Sequence, residues 1–166
     1  MRKVEPTDLS VRPFHLLDKE WAVLVAGVQR PNPMTVSWGG MGTLWNRPTL
    51  TIYVRPTRFT YQLLEVDREF TLNFLGAEGR EAMNVCGTVS GKDEDKWKRS
   101  GLSQEPSECI RVPRVRGANL VFECRVLAHT DLEPSRFIDK TIEKLYPLSD
   151  YHRVYFGEVL LVAKDA

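Results

Sequence analysis

The sequence is short of most features that would assign a function outright. Its charge has no dominant sign: 23 Lys and Arg stand against 22 Asp and Glu, a formal net charge of +1. No bulk field therefore recruits nucleic acid, and the basic cluster at 111–116 is too local to form a stripe. Cysteine is scarce. Cys86, Cys109 and Cys124 are odd in number, widely spaced and in no metal-ligand pattern, which reads as core or surface thiols in a reducing compartment. Three separated histidines, His15, His129 and His152, have no acidic helical partners, so no metal site is expected. No stretch approaches a membrane span, and the opening MRKVEPTDLS has no apolar run of the signal-peptide kind; the expected address is cytoplasmic, with no membrane partner. A Walker lysine motif and a GxGxxG between strand and helix are both missing, as is any Ser/His/Asp order or Cys/His pairing of a hydrolase.

What is present is the ordinary material of a globular domain. At 166 residues, with 42% apolar and 27% charged side chains, one domain over 1–166 with a real core is expected. Residues 1–19 read as an N-terminal arm laid against the body by Phe14, Leu16 and Leu17. Residues 21–28 (WAVLVAGV) form a nearly continuous apolar run, hence a buried strand. The prolines of 29–33 make a turn and oppose strand pairing there. Further strands are expected at 69–75, 118–130 and 154–162, and helices at 58–66, 78–86 and 93–99, the last closed by Gly101. Residues 106–116 read as a loop with a short strand. Phe137, Ile138, Thr141, Ile142 and Leu145 fall at helical spacing, so 133–146 is expected to be a helical excursion. Strands outnumber helices and run from end to end. The class is mainly β with a few helices, closed or partly closed into a barrel that leaves few free edges.

The stretch from Asn32 to Tyr61 concentrates the chemistry. Two extended runs, 34–44 and 49–55, are expected to join at 46–48. In the first, Met34, Val36 and Trp38 alternate with Thr35, Ser37 and Gly39, one apolar face and one bearing hydroxyls and bare backbone. Gly39, Gly40 and Gly42 would let a ligand approach closely. Thr57 is a fair N-cap for the helix at 58–66, with Phe59, Leu63 and Val66 on its buried face. Arg58 and Thr60 would then lie in the first turn, where free N–H groups and the positive end of the dipole favour an anion. Arg55 and Arg58 supply planar donor forks for phosphate oxygens, and Trp38 and Trp45 are placed to wall a flat ring. From pattern alone, a phosphorylated ring ligand and a hairpin with surface arginines both remain open. Ser90, Gly91 and Lys92, followed by Asp95 and Lys96, read on their own first as a capped surface helix and second as a ligand-binding run. His152, flanked by Asp150, Tyr151 and Arg153, reads as a loop histidine or a pocket residue.

Four runs in order, NPMTVSWGGMGTLWNRP, YVRPTRFTY, CGTVSGKDEDKW and DYHRVYFGEV, resemble the flavin reductase-like, FMN-binding split-barrel family, near its flavoredoxin branch. The resemblance spans 21–162. It implies a Greek-key split β-barrel, FMN as cofactor and a homodimer with the flavin near the subunit interface. Carried over by position, it puts Thr35, Val36, Ser37 and Trp38 at the flavin edge. Arg55, Arg58 and Thr60 would lie at the phosphate and ribityl chain with Tyr61 nearby, and Ser90, Gly91, Lys92 and Lys96 would also reach the cofactor. His152 and Tyr155 follow the 133–146 excursion, a departure from the simpler family pattern, and rank second as pocket residues. No catalytic acid or base is implied. The expected activity is NAD(P)H-dependent reduction of flavin or of a protein acceptor, with NADH or NADPH as co-substrate. The alternative is a flavoredoxin-type electron carrier reduced by a partner protein.

Overall fold

The computed structural model describes residues 1–165. Ten strands form in chain order: β1 (Arg2–Val4), β2 (Ala22–Ala26), β3 (Asn32–Val36), β4 (Gly39–Leu44), β5 (Arg47–Val54), β6 (Glu69–Phe74), β7 (Gln104–Glu105), β8 (Arg114–Val115), β9 (Leu120–Asp131) and β10 (Arg153–Lys164). The α-helices are α1 (Pro13–His15), α2 (Phe59–Asp67), α3 (Arg80–Thr88) and α4 (Lys96–Ser100). One antiparallel sheet runs in the order β3-β2-β6-β9-β10-β5-β4, with β1 added to β10; β7 and β8 pair separately.

That order explains the barrel. β3 and β4 are consecutive in sequence yet stand at opposite ends of the hydrogen-bonded order. Six inter-strand steps of about 4.8 Å would put them roughly 29 Å apart in a flat sheet. Only Ser37 and Trp38 separate them, and three residue steps reach at most about 11 Å. The sheet must therefore curl until its ends approach, leaving a seam with no ladder between β3 and β4. The expected continuous strand over 34–44 is in fact two, broken at this seam.

β2 shows why an unbroken apolar run is needed. Ala22, Leu24 and Ala26 enter the barrel core with Ile52, Leu64, Phe70, Phe122 and Tyr155, whereas Val23 and Val25 enter a second core with Met83, Val112, Val115 and Val121. A strand buried on both faces has no polar side to offer.

Several expectations are corrected in detail. Pro33 lies inside β3 opposite Val25, tolerated because β3 is a sheet edge and needs donors on one side only. The β4–β5 turn is Trp45–Asn46, both at positive φ (53° and 57°), rather than 46–48. This is the type I′ geometry that matches strand twist, and it places Trp45 at an exposed tip against Phe156. Thr57 does not cap α2; Arg58 occupies that position, without a side-chain cap. The buried face of α2 is Thr60 and Leu64, while Val66 is exposed. Leu16 and Leu17 do anchor the arm, but Phe14 is 90% exposed. The excursion at 133–146 forms two 3-10 turns, Pro134–Arg136 and Lys140–Leu145, instead of a long helix. Its apolar spacing serves an aromatic cluster of Phe137, Tyr146 and Tyr151 and leaves Ile138 fully exposed. No helix among the described residues is long and apolar enough to cross a membrane.

Candidate functional site

The seam creates the site. Met34, Thr35, Val36, Ser37 and Trp38 run along its β3 side, and Tyr53, Arg55, Arg58 and His152 close the other walls of an open hollow of about 160 Å³. Because β3 ends the sheet order, one edge of its backbone has no strand partner. Thr35 donates its hydroxyl inward to the Met83 carbonyl, which ties β3 to α3.

The two arginines differ in electrostatic state. Arg55 is committed: Nη1 donates to Asp150 Oδ1 at 2.6 Å, Nη2 donates to Leu145 O at 3.0 Å, and the guanidinium sits 4.9 Å from the Tyr146 ring centroid. Arg58 is exposed, and its polar contact is a single long one, Nη1 to Gly87 O at 3.4 Å. Among the described residues no carboxylate is within ion-pair reach of Arg58, so it is the hollow's uncompensated positive charge.

His152 is buried at 8% exposure. Trp38, Tyr53 and Tyr146 surround its ring at centroid distances of 5.1, 6.5 and 5.4 Å. Burial, helped by the Arg55 charge and opposed by Asp150, lowers its pKa to about 4, so the imidazole is neutral at pH 7.

Of the residues marked out in the sequence, Thr35, Val36, Ser37, Trp38, Arg55, Arg58 and His152 meet at this hollow. Others do not line it. Thr60 is fully buried and accepts a hydrogen bond from Asn32 Nδ2 at 2.8 Å, holding α2 to β3. Gly91 and Lys96 line a separate hollow with Asn32, Pro33, Phe59 and Trp97. Lys96 is buried, and Nζ donates to Pro33 O at 2.8 Å and Cys86 O at 2.6 Å. Burial lowers its pKa to about 8. Ser90 Oγ accepts from Lys92 N at 3.2 Å, and both side chains are exposed. Tyr155 points away from His152, as strand alternation requires; its hydroxyl donates to Glu65 Oε1 at 2.6 Å and its ring meets Tyr61 and His129. Gly39 and Gly40 are close-approach positions for protein rather than ligand. A Cβ would come within 3.0 Å of Thr51 O at Gly39 and 2.8 Å of Thr51 Oγ1 at Gly40.

Sequence reasoning missed Tyr53, Tyr146 and the Asp150 partner of Arg55. Tyr53 carried a signal, since it alternates onto the same face of β5 as Arg55. Tyr146 and Asp150 carried none, because their contacts are made across more than 90 residues or within an irregular turn.

A model of the flavin reductase like domain matches residues 19–164. The chain belongs to the flavin reductase like family. Among curated relatives, an uncharacterized protein of Archaeoglobus fulgidus is 27% identical over 109 residues, 66% of this chain and 61% of its own length. YddH of Escherichia coli is 27% identical over 139 residues, 83% of this chain and 65% of that protein. The matched chain thus spans less than two thirds of these relatives. Among solved structures, flavoredoxin from Methanosarcina acetivorans superposes with a TM-score of 0.67 at 23% identity, covering 88% of this chain and 68% of that one. Flavoredoxin of Desulfovibrio vulgaris gives 0.69 at 21% identity, with 99% and 77% covered. The NADH:FAD oxidoreductase SgcE6 of Streptomyces globisporus gives 0.68 at 19%, with 88% and 75% covered. These likenesses establish the flavin reductase-like split-barrel fold.

Proposed function

We propose that the chain is a flavoprotein oxidoreductase that binds FMN at the seam and uses NAD(P)H to reduce flavin or a protein acceptor. The observation that carries this reading is Arg58: an exposed, uncompensated guanidinium beside the unpaired edge of β3, on a hollow walled by Trp38. An anion with a planar group attached fits that donor set. Arg58 would hold the phosphate, Ser37 and the backbone of 35–37 would hold polar ring-edge atoms, and Trp38 would cover a ring face. Arg55, already neutralised by Asp150, would shape the wall without adding net charge. When bound, the flavin supplies the redox chemistry, and the protein supplies binding, orientation and electrostatics. A whole flavin nucleotide would extend beyond a hollow of about 160 Å³, which supports a homodimer whose second copy covers the remainder.

A second reading is a flavin-binding electron carrier reduced by a partner protein. Ile138, Leu145 and Leu148 favour it, because they leave large apolar side chains exposed on the segment whose Leu145 carbonyl holds Arg55. The visible spectrum of the purified protein with FMN, followed by anaerobic titration with NADH and NADPH, tests both. Bleaching by a nicotinamide supports the oxidoreductase, and bleaching by dithionite alone supports the carrier. No flavin bound at all would sink the shared premise.

A further inference from the structure

The irregular segment between β9 and β10 is built around contacts to the hollow. Leu145 O and Asp150 hold Arg55, and Tyr146 holds His152: the Tyr146 hydroxyl lies 2.8 Å from His152 Nδ1, with both side chains buried. A neutral imidazole has one donor and one acceptor nitrogen, and whatever engages one fixes the role of the other. The Tyr146 hydroxyl has no other acceptor among the described residues, so its proton is directed to Nδ1. Donation to Nδ1 leaves Nε2 carrying the proton.

We propose that Tyr146 is a positioning residue that locks His152 as the Nε2–H tautomer, making it a neutral donor to a carbonyl oxygen of the ring bound in the hollow. The inference rests on the flavin reading, and it assigns the segment a role that the family fold alone does not require. That oxygen could belong to the flavin itself or to the carboxamide of a dihydronicotinamide. A charged histidine would add a second positive charge to a hollow that already holds the uncompensated Arg58; a neutral one donates without that repulsion. The groups facing His152 are Tyr146 and Asp150 from the loop, Arg55 and Arg58 beyond the end of β5, and Tyr53 and Trp38 from the barrel; of these, Tyr146 Oη is the one hydrogen-bonded to its ring among the described residues.

Long-range proton–nitrogen correlation spectra of nitrogen-15-labelled protein report histidine tautomers directly. Wild type is expected to show His152 as a single Nε2–H form, and Tyr146→Phe a mixture of tautomers. An Nδ1–H form in wild type, or an unchanged single tautomer in Tyr146→Phe, overturns the proposal. FMN affinity and NADH-dependent reduction then identify the acceptor. In Tyr146→Phe, a roughly tenfold weaker FMN Kd points to the flavin carbonyl, and a roughly tenfold lower kcat/KM for NADH with FMN Kd unchanged points to the carboxamide. Neither change also overturns it. Should Tyr146→Phe fold poorly, the pair His152→Gln and His152→Leu decides instead. Gln retains a neutral N–H and is expected to stay within about threefold of wild type, whereas Leu loses about tenfold or more; equal losses refute a donor role. Failure of wild type to bind FMN would sink the flavin reading and leave the tautomer result intact, so the two failures are distinguishable.

Discussion

Arg58 and Lys96 reach consecutive carbonyls in the last turn of one helix: Arg58 Nη1 lies 3.4 Å from Gly87 O, and Lys96 Nζ lies 2.6 Å from Cys86 O. Both cations thus sit at the negative end of α3, where a helix favours positive charge. They differ in exposure. Arg58 is exposed on the hollow, while Lys96 is buried and spends its donors on protein carbonyls. Two basic residues that look alike in sequence are therefore expected to fail in different ways.

Arg58→Ala is expected to weaken FMN binding by about 1.5–3 kcal/mol, roughly 10- to 150-fold, because a charged hydrogen bond to phosphate is lost. Its thermal midpoint should stay close to wild type. Fluorescence titration with FMN and a melting curve check both halves. Unchanged FMN affinity would remove the phosphate from this corner of the hollow.

Lys96→Met is expected to act on stability first. It strands the carbonyls of Pro33 and Cys86, at a cost of about 2–4 kcal/mol by urea unfolding. The sign of its pH dependence is also fixed. With the folded pKa near 8 and the ordinary value at 10.5, the unfolded chain binds more protons between them. Wild-type stability relative to the variant should therefore rise from about pH 8 to 10.5. A flat difference across that window would mean that the amine is not desolvated as described.

The division between these two residues shows what the sequence could and could not tell. The barrel was legible because β2, β9 and β10 are apolar runs, and one wall of the hollow was legible because Thr35, Ser37 and Arg58 lie on or just beyond extended elements. Lys96 was misplaced for a local reason: a lysine after an Asp cap looks solvent-facing, and only the packing of α4 on β3 buries it. The strand break at Ser37–Trp38 was hidden because alternation continues through it; closure of the whole sheet forces the break. Tyr155 carried the right chemistry on the wrong face, since one residue of register reverses a strand side chain.

His152 gives a second pH signature. Its folded pKa of about 4 lies below the ordinary 6.5, so the unfolded state binds the extra proton between those values. Stability contributed by the neutral imidazole is complete above about pH 6.5 and is lost as pH falls toward 4. Wild type should lose on the order of 2 kcal/mol more than His152→Gln across that interval. Urea unfolding of both proteins at pH 7, 5.5 and 4.5 measures it. Parallel curves would mean that Asp150 offsets the desolvation of His152 and leaves its titration unshifted.

Glycines in the same region separate packing from ligand access. A Cβ at Gly91 would meet Asn32 Oδ1 at 1.8 Å and Cγ at 2.7 Å, pushing Asn32 off the Thr60 hydroxyl. Gly42 has nothing within 4 Å of its would-be Cβ. Gly91→Ala is expected to cost about 1–3 kcal/mol through this overpacking, whereas Gly42→Ala should be neutral or slightly stabilising. Calorimetric midpoints of the two variants check the contrast. Equal effects would show that Asn32 is free to move and does not couple α2 to β3.

Far from the hollow, Glu123 organises the loop between β7 and β8. It is fully buried; both its oxygens accept from Glu108 N at 3.0 Å, and Oε2 also accepts from Cys109 N at 2.7 Å. Arg114 Nη1 lies 4.0 Å from Oε1 and has no hydrogen-bond partner of its own, since Nε is spent on Glu105 at 2.8 Å. A carboxylate so enclosed is stable only while those donors stay in place, and the donors are backbone groups at the tip of a loop whose far end is pinned by buried Val112 and by Thr71 on the Pro113 carbonyl. Glu123→Gln removes the charge facing Arg114 and aims an amide N–H at backbone donors. The expected cost is about 3 kcal/mol, with amide exchange at Glu108 and Cys109 accelerated well before that of β9. Lys3→Ala, which deletes the exposed Lys3–Glu108 ion pair at the same loop, is expected to leave stability and exchange unchanged. If Lys3→Ala loosens the loop as much as Glu123→Gln does, the surface pair holds the loop and the buried carboxylate does not.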